Sequence, residues 1–139
     1  RRQGGMDREE GLMRYPAILD GSRGAYGVTF PDLPGVVAMG ETIDEAIMNA
    51  EAALHDAYVE ARTDGQALVA PTAPEDVHVD PGHTLLSIPL IRPAGRTARA
   101  NMTIDAGVLE FIDTEASRRG MTRTAFTEWM ARRVAGQGG

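Results

Sequence analysis

The chain has no cysteine among its 139 residues, which removes disulfides and thiolate metal sites and fits a reducing cytoplasm. No apolar run approaches the roughly 20 residues needed to span a bilayer, and the N-terminus lacks the apolar core of a signal peptide. A cytoplasmic protein with no membrane partner is therefore expected. Catalytic spacings are missing as well. His55, His78 and His83 form no His-Glu-x-x-His or similar pattern, so surface positions are expected for them rather than zinc ligation. Ser22, Ser87 and Ser117 have no Ser/His/Asp neighbourhood. The chain is read as no enzyme, with no catalytic residue, metal or cofactor.

What is present is unevenly distributed. The formal charge of -6 divides into -8 over residues 13–93, where four arginines face twelve acids, and +2 over residues 96–139. An acidic half suits a basic protein and repels nucleic acid, whereas a mildly basic half can approach phosphates. The plainer reading is that acidic surface only aids solubility. A chain of this length holds one ordinary domain or two very small ones, and small units bury little surface unless they associate. Residues 1–12, RRQGGMDREEGL, have no periodicity and read as an expression remnant or disordered N-terminus, with Met6 and Met13 both available as starts.

From Met13, YPAILD, the turn-rich GSRG and AYGVTF predict a hairpin, in which Tyr26, Val28 and Phe30 alternate with smaller residues. PDLPG must turn the chain, and VVAMG supplies a third short strand. Thr42 with Glu45 forms a capping box, so a helix starts there. Ile43, Ile47, Ala50, Leu54, Tyr58 and Ala61 give it an apolar face as far as Gly65. Residues 66–83, with three prolines, read as a loop. TLLSIPLI is the last strand, and Pro89 places it at a sheet edge. The first domain, residues 13–93, is thus β-β-β-α-β.

After the hinge RPAG the pattern changes, and residues 94–139 form a second domain. Arg99 to Ile104 alternate polar and apolar over one strand length. Asp105 caps a helix carrying Val108, Leu109, Ile112 and Ala116, which Gly120 ends. Thr122 caps a second helix with Phe126, Met130 and Val134 on one face. A lone strand has no ladder partner here, so two copies are expected to pair their strands across a twofold axis. In that homodimer, or a tetramer built from it, Ala100, Met102, Ile104, Phe126 and Met130 form the dimer core. Trp129, near Phe126 and Met130, is read as near-core rather than part of a ligand box.

A two-stranded ribbon fits the major groove of B-DNA, and period two sends alternate side chains into the groove. Arg99, Asn101 and Thr103 are the outward set, and arginine suits guanine as asparagine suits adenine. Thr122, Arg123 and Thr124, at a helix start, can hold a phosphate. An ordinary amphipathic edge strand beside a helical hairpin is the plainer alternative. Residues 97–135 resemble the ribbon-helix-helix family, in which the outward strand residues read an operator.

The string FPDLPGVVAMGETIDEAIMNAEAAL, Phe30 to Leu54, resembles the core of the HicB antitoxin family: a strand, PDLPG, a short strand and a G-x-T-x-x-E-A helix start. The likeness covers almost all of Met13 to Ile91, and the adjoining tail is similar to one that many members carry. The resemblance implies an α+β protein with a degenerate ribonuclease-H-like first domain lacking catalysis. It also implies a HicA-type toxin that cleaves mRNA as partner, and repression of the operon encoding both. A ribonuclease-H-like fold raises the question of a metal nuclease at Asp20, Asp32, Glu41 and Asp44, but turns and a helix cap are ordinary places for acids. Two other readings remain: a free-standing ribbon-helix-helix repressor with a small-ligand-sensing first domain, and a metal-dependent hydrolase with a DNA-binding tail.

Overall fold

A computed structural model of the chain describes residues 12–137. The N-terminal stretch read as a remnant lies outside the described residues except for Leu12, which already belongs to the first strand. The described residues divide between Pro93 and Ala94 into two compact units.

The first unit is a four-stranded antiparallel sheet with one helix on it. Strands β1 (Leu12–Ser22), β2 (Ala25–Thr29) and β3 (Val37–Gly40) are followed by helix α1 (Ile43–Thr63) and strand β4 (Thr84–Ile91), in the sheet order β3-β2-β1-β4. The hairpin between β1 and β2 closes Ser22 against Ala25, and Gly24 meets the tight turn with φ +89. In the register of β1 with β4, Arg14 opposes Pro89 and Pro16 opposes Ser87. Both prolines share one parity, so both can occupy sites that donate nothing to the ladder between these strands. Pro89 lies on an edge strand, as its missing N–H requires, while Pro16 precedes the point at which β2 begins to pair with β1, at Ile18.

The period of two sends Tyr15, Ala17, Leu19, Val28, Ile88 and Leu90 to one face, where they form the core with Ala46, Ala50 and Leu54 of α1. Leu54 is fully buried at the centre of this contact. The face of α1 differs from the predicted one in one respect: Ile43 is exposed and Ala46 is fully buried. At the helix entry the Ala46 backbone comes so close to β3 that Gly40 has no room for a side chain. Ile47 and Tyr58 pack at the margin of the core. On the opposite sheet face Pro16, Ile18 and Pro89 are buried, whereas Val37, Met39, Leu85 and Ile91 are exposed.

Helix α1 stops by a Schellman arrangement. The Gln66 N–H donates to the Ala61 carbonyl, the Gly65 N–H to the Arg62 carbonyl, and Gly65 has φ +75. The loop that follows carries a 3-10 turn at Pro74–Asp76 and is fastened to the core side at two points. The Tyr15 hydroxyl donates to the Val69 carbonyl, and Thr72 donates to the Asp32 carboxylate through both its N–H and its hydroxyl.

The second unit contains helices α2 (Ala106–Arg118) and α3 (Arg123–Gln137). Asp105 caps α2 by accepting from the Gly107 and Val108 N–H groups, and Thr122 caps α3 by accepting from the Ala125 N–H. Gly120, with φ +68, makes the break between them. Residues 99–104, expected as a strand, carry neither strand nor helix. A strand is defined by its ladder, and a single chain offers this segment no partner.

Candidate functional site

Two regions carry the residues to which the sequence assigns chemistry. The first is the Phe30–Leu54 signature. Phe30 and Leu33 are buried, and Asp32 between them accepts from Thr72, so the PDLPG turn is tied down at Asp32 and Leu33 and at the residue before it. Gly35 closes that turn with φ +91. Thr42 then caps α1 by accepting from the Glu45 N–H, while the Glu45 carboxylate accepts from the Glu41 N–H at 2.5 Å. The capping box thus forms with its return bond one residue upstream of the cap. The spacing from Gly40 to Ala46 has its own cause: a Cβ on Gly40 would lie 2.4 Å from the Ala46 nitrogen. Each fixed letter of G-x-T-x-x-E-A therefore has a local structural duty.

The acids considered for metal chemistry do not converge. Among the described residues no group of three or more His, Asp or Glu side chains could hold a metal ion. Asp32 is engaged by Thr72, and Asp44 and Glu45 lie in the first turn of α1, where carboxylates complement the helix dipole. Burial pushes the Tyr15 phenol above its ordinary value, and the charge of Asp32 adds to the rise while Arg92 opposes it.

The second region is the basic tail. Arg99, Asn101 and Thr103 are all exposed, as are Ala100 and Met102, while Ile104 is half-buried. Thr122, Arg123 and Thr124 lie exposed at the start of α3. Neither group bonds to the other among the described residues. The Thr122 hydroxyl is occupied as a cap, and the Arg123 guanidinium makes a two-pronged pair with Asp113, at 2.8 and 2.9 Å. That pair holds the Asp113 carboxyl below its ordinary value and raises Arg123. A phosphate at this helix end would meet an arginine already neutralised, leaving the backbone N–H groups and Thr124 as the open donors.

Of the expected dimer core, Phe126 is buried and Met130 half-buried, both around a small cluster with Ile112 and Ala116. Sequence reading missed the feature that completes this cluster. The Trp129 ring carries two guanidiniums within cation–π distance, Arg119 at 4.8 Å and Arg133 at 5.5 Å from its centroid, and stacks on Phe126 at 5.5 Å. The spacing Trp129 to Arg133 is one helical turn and was legible; the reach of Arg119 across from α2 was not.

A family model described as the HicB-like antitoxin of bacterial toxin–antitoxin systems matches residues 15–131. The chain belongs to this family. Among solved structures, the Burkholderia pseudomallei antitoxin HicB is 28% identical, with 91% of this chain and 99% of that chain covered and a TM-score of 0.50. The antitoxin HicB3 structure is 27% identical, covering 86% and 96% of the two chains, also with a TM-score of 0.50. An uncharacterized 14.9 kDa protein from the rep-hol intergenic region of Haemophilus phage HP1 is 25% identical over 107 residues, which is 73% of this chain and 80% of that protein. The HicB-like antitoxin is thus an α+β protein with a four-stranded antiparallel sheet and three α-helices among its described residues. None of these helices is long and apolar enough to cross a membrane.

Proposed function

We propose that this HicB-like antitoxin masks a HicA-type, mRNA-cleaving toxin with its first unit and, as a dimer, represses its own operon with its second. The observation that carries the DNA half is the incompleteness of that second unit. Among its described residues only Ile112, Ala116 and Phe126 are buried, while Met102 is 68% exposed, Phe111 61% and Val134 67%. A unit with so few buried side chains does not hold its own fold well, and large exposed apolar groups next to an unpaired backbone call for a partner. A second copy would supply the ladder that residues 99–104 lack and would cover Ala100, Met102 and Ile104. Arg99, Asn101 and Thr103 would then face the major groove.

The masking half is supported by charge and by family. Residues 13–93 carry -8, and an acidic surface competes with RNA for a basic protein. The reading is tested by co-expressing the chain with the product of the adjacent gene, purifying whatever co-elutes, and measuring mass by light scattering and operator binding by fluorescence anisotropy. A monomeric chain that binds no DNA from its own upstream region would overturn the repressor half. A neighbour that neither co-purifies nor is neutralised would overturn the antitoxin half.

A further inference from the structure

A cavity of the acidic first unit is lined by arginine and by no acid. This cavity, of about 420 Å³, opens between the C-terminal half of α1, the start of the loop after it, and the ends of β1 and β4. Tyr58, Arg62 and Arg92 line it, with Met13, Tyr15 and Leu68 giving it an apolar wall. Residues 13–93 hold four arginines against twelve acids, yet two of those arginines line this one cavity and no acid does. Chance placement in a unit of this composition would favour carboxylates.

The polar groups are also incompletely used. Arg92 is half-buried and makes no ion pair or hydrogen bond to the described residues, and neither does the Tyr58 hydroxyl. A guanidinium at a cavity wall with no carboxylate or carbonyl partner keeps its N–H donors open, and an oxyanion can take them up as paired, charge-assisted hydrogen bonds. Arg62 is differently placed. Its guanidinium donates to the Pro93 carbonyl at 2.7 Å, so it is held at the cavity wall. The Tyr15 hydroxyl is spent on Val69, which leaves its ring as apolar surface. The size falls within the range of small-molecule sites, which pair an apolar lining with a few converging polar groups.

We infer that this cavity binds a small organic oxyanion, a carboxylate or phosphate carried on an apolar body of about ring size, with Arg92 and Tyr58 as the groups that grip the anionic end. The proposal is independent of the antitoxin reading. Calorimetry on the full chain with benzoate, phenyl phosphate, inorganic phosphate and benzyl alcohol tests it. At least one of the two ring-bearing anions should bind saturably, one per chain, and which of them binds more tightly distinguishes carboxylate from phosphate. Inorganic phosphate should bind more weakly than the tighter ring-bearing anion, because it leaves the apolar wall unfilled, and neutral benzyl alcohol should not bind. Arg92→Gln should weaken the tighter anion about tenfold, Arg92→Lys less, and Tyr58→Phe by a few-fold, with circular dichroism unchanged. Absence of saturable binding for both ring-bearing anions overturns the inference. So does an Arg92→Gln chain, folded by circular dichroism, that binds as the parent does, because binding elsewhere would then explain the heat.

Discussion

The alpha carbon of Gly40 faces the backbone of Ala46 so closely that an added Cβ would stand 2.4 Å from the Ala46 nitrogen and 2.8 Å from its Cα. Backbone atoms cannot swing aside as a flexible side chain can, so the end of β3 and the start of α1 are locked together by the absence of a side chain. Gly40→Ala should destabilise the first unit by about 2 kcal/mol or more, since overpacking against backbone forces the two elements apart. Urea unfolding followed by circular dichroism checks this. A midpoint equal to that of the parent would mean the contact relaxes without loss.

Thr42→Ala removes the side chain that accepts from the Glu45 N–H. Loss of such a cap costs about 1 kcal/mol, so the effect should be smaller than that of Gly40→Ala in the same unfolding measurement. The order of the two variants is the informative result, because it ranks close approach above capping in the helix-start motif.

Asp113 and Arg123 set a pH dependence in the second unit. The hydrogen bond from Arg123, and then its charge, hold the Asp113 carboxyl below its ordinary value of 3.8. A carboxyl depressed on folding adds stability that is present above the unfolded value and disappears as pH falls through the folded one. The difference in melting temperature between parent and Asp113→Asn should therefore be largest near neutral pH and shrink in acid below 3.8. The pair is exposed, so salt should reduce the difference too. A difference unchanged from neutral pH into acid would show that Asp113 acts by packing instead.

The register of residues 99–104 separates two variants of adjacent residues. Asn101→Ala should leave the dimer intact and cost about 1–3 kcal/mol of discrimination at one base pair in each half-site. Met102→Asp places a charge beneath the proposed ribbon and should abolish dimer and DNA binding together. Light scattering and fluorescence anisotropy read the two properties separately. The opposite pattern would mean a slip of one residue, which exchanges every inward and outward side chain.

A fragment of residues 12–93 should neutralise the toxin without the tail. It begins at Leu12 to keep the pairing with Ile91 at the end of the β1–β4 ladder. Rescue of growth during toxin expression is the measurement, and rescue by only those chains that retain residues 94–139 would reverse the proposed division of labour.

The sequence determined by itself whatever rests on near neighbours. Thr42 and Glu45, Asp105, Gly65 and Gly120 act within a few residues of their own position, so the start of α1, the start of α2 and the end of both could be read directly. The four strands and their connections followed in the same way from alternation and turn residues, and the edge position of β4 from Pro89, whose missing N–H is a property of one residue. The family was legible too, because its signature is a contiguous string whose spacing reflects close packing between successive elements.

Only the tertiary structure decided what depends on residues distant in the chain. Ala46 rather than Ile43 is buried because β3 returns against the helix start at Gly40, a contact that helical periodicity does not encode. Arg123 is claimed by Asp113 across the break between α2 and α3, and Arg119 reaches Trp129 by the same route. The cavity at Arg62 and Arg92 gathers residues from both ends of the first unit. Residues 99–104 mark the boundary between the two kinds of knowledge. Their alternation is written in the sequence, but a strand exists only when a second backbone satisfies its N–H and C=O groups, and one chain alone does not provide it.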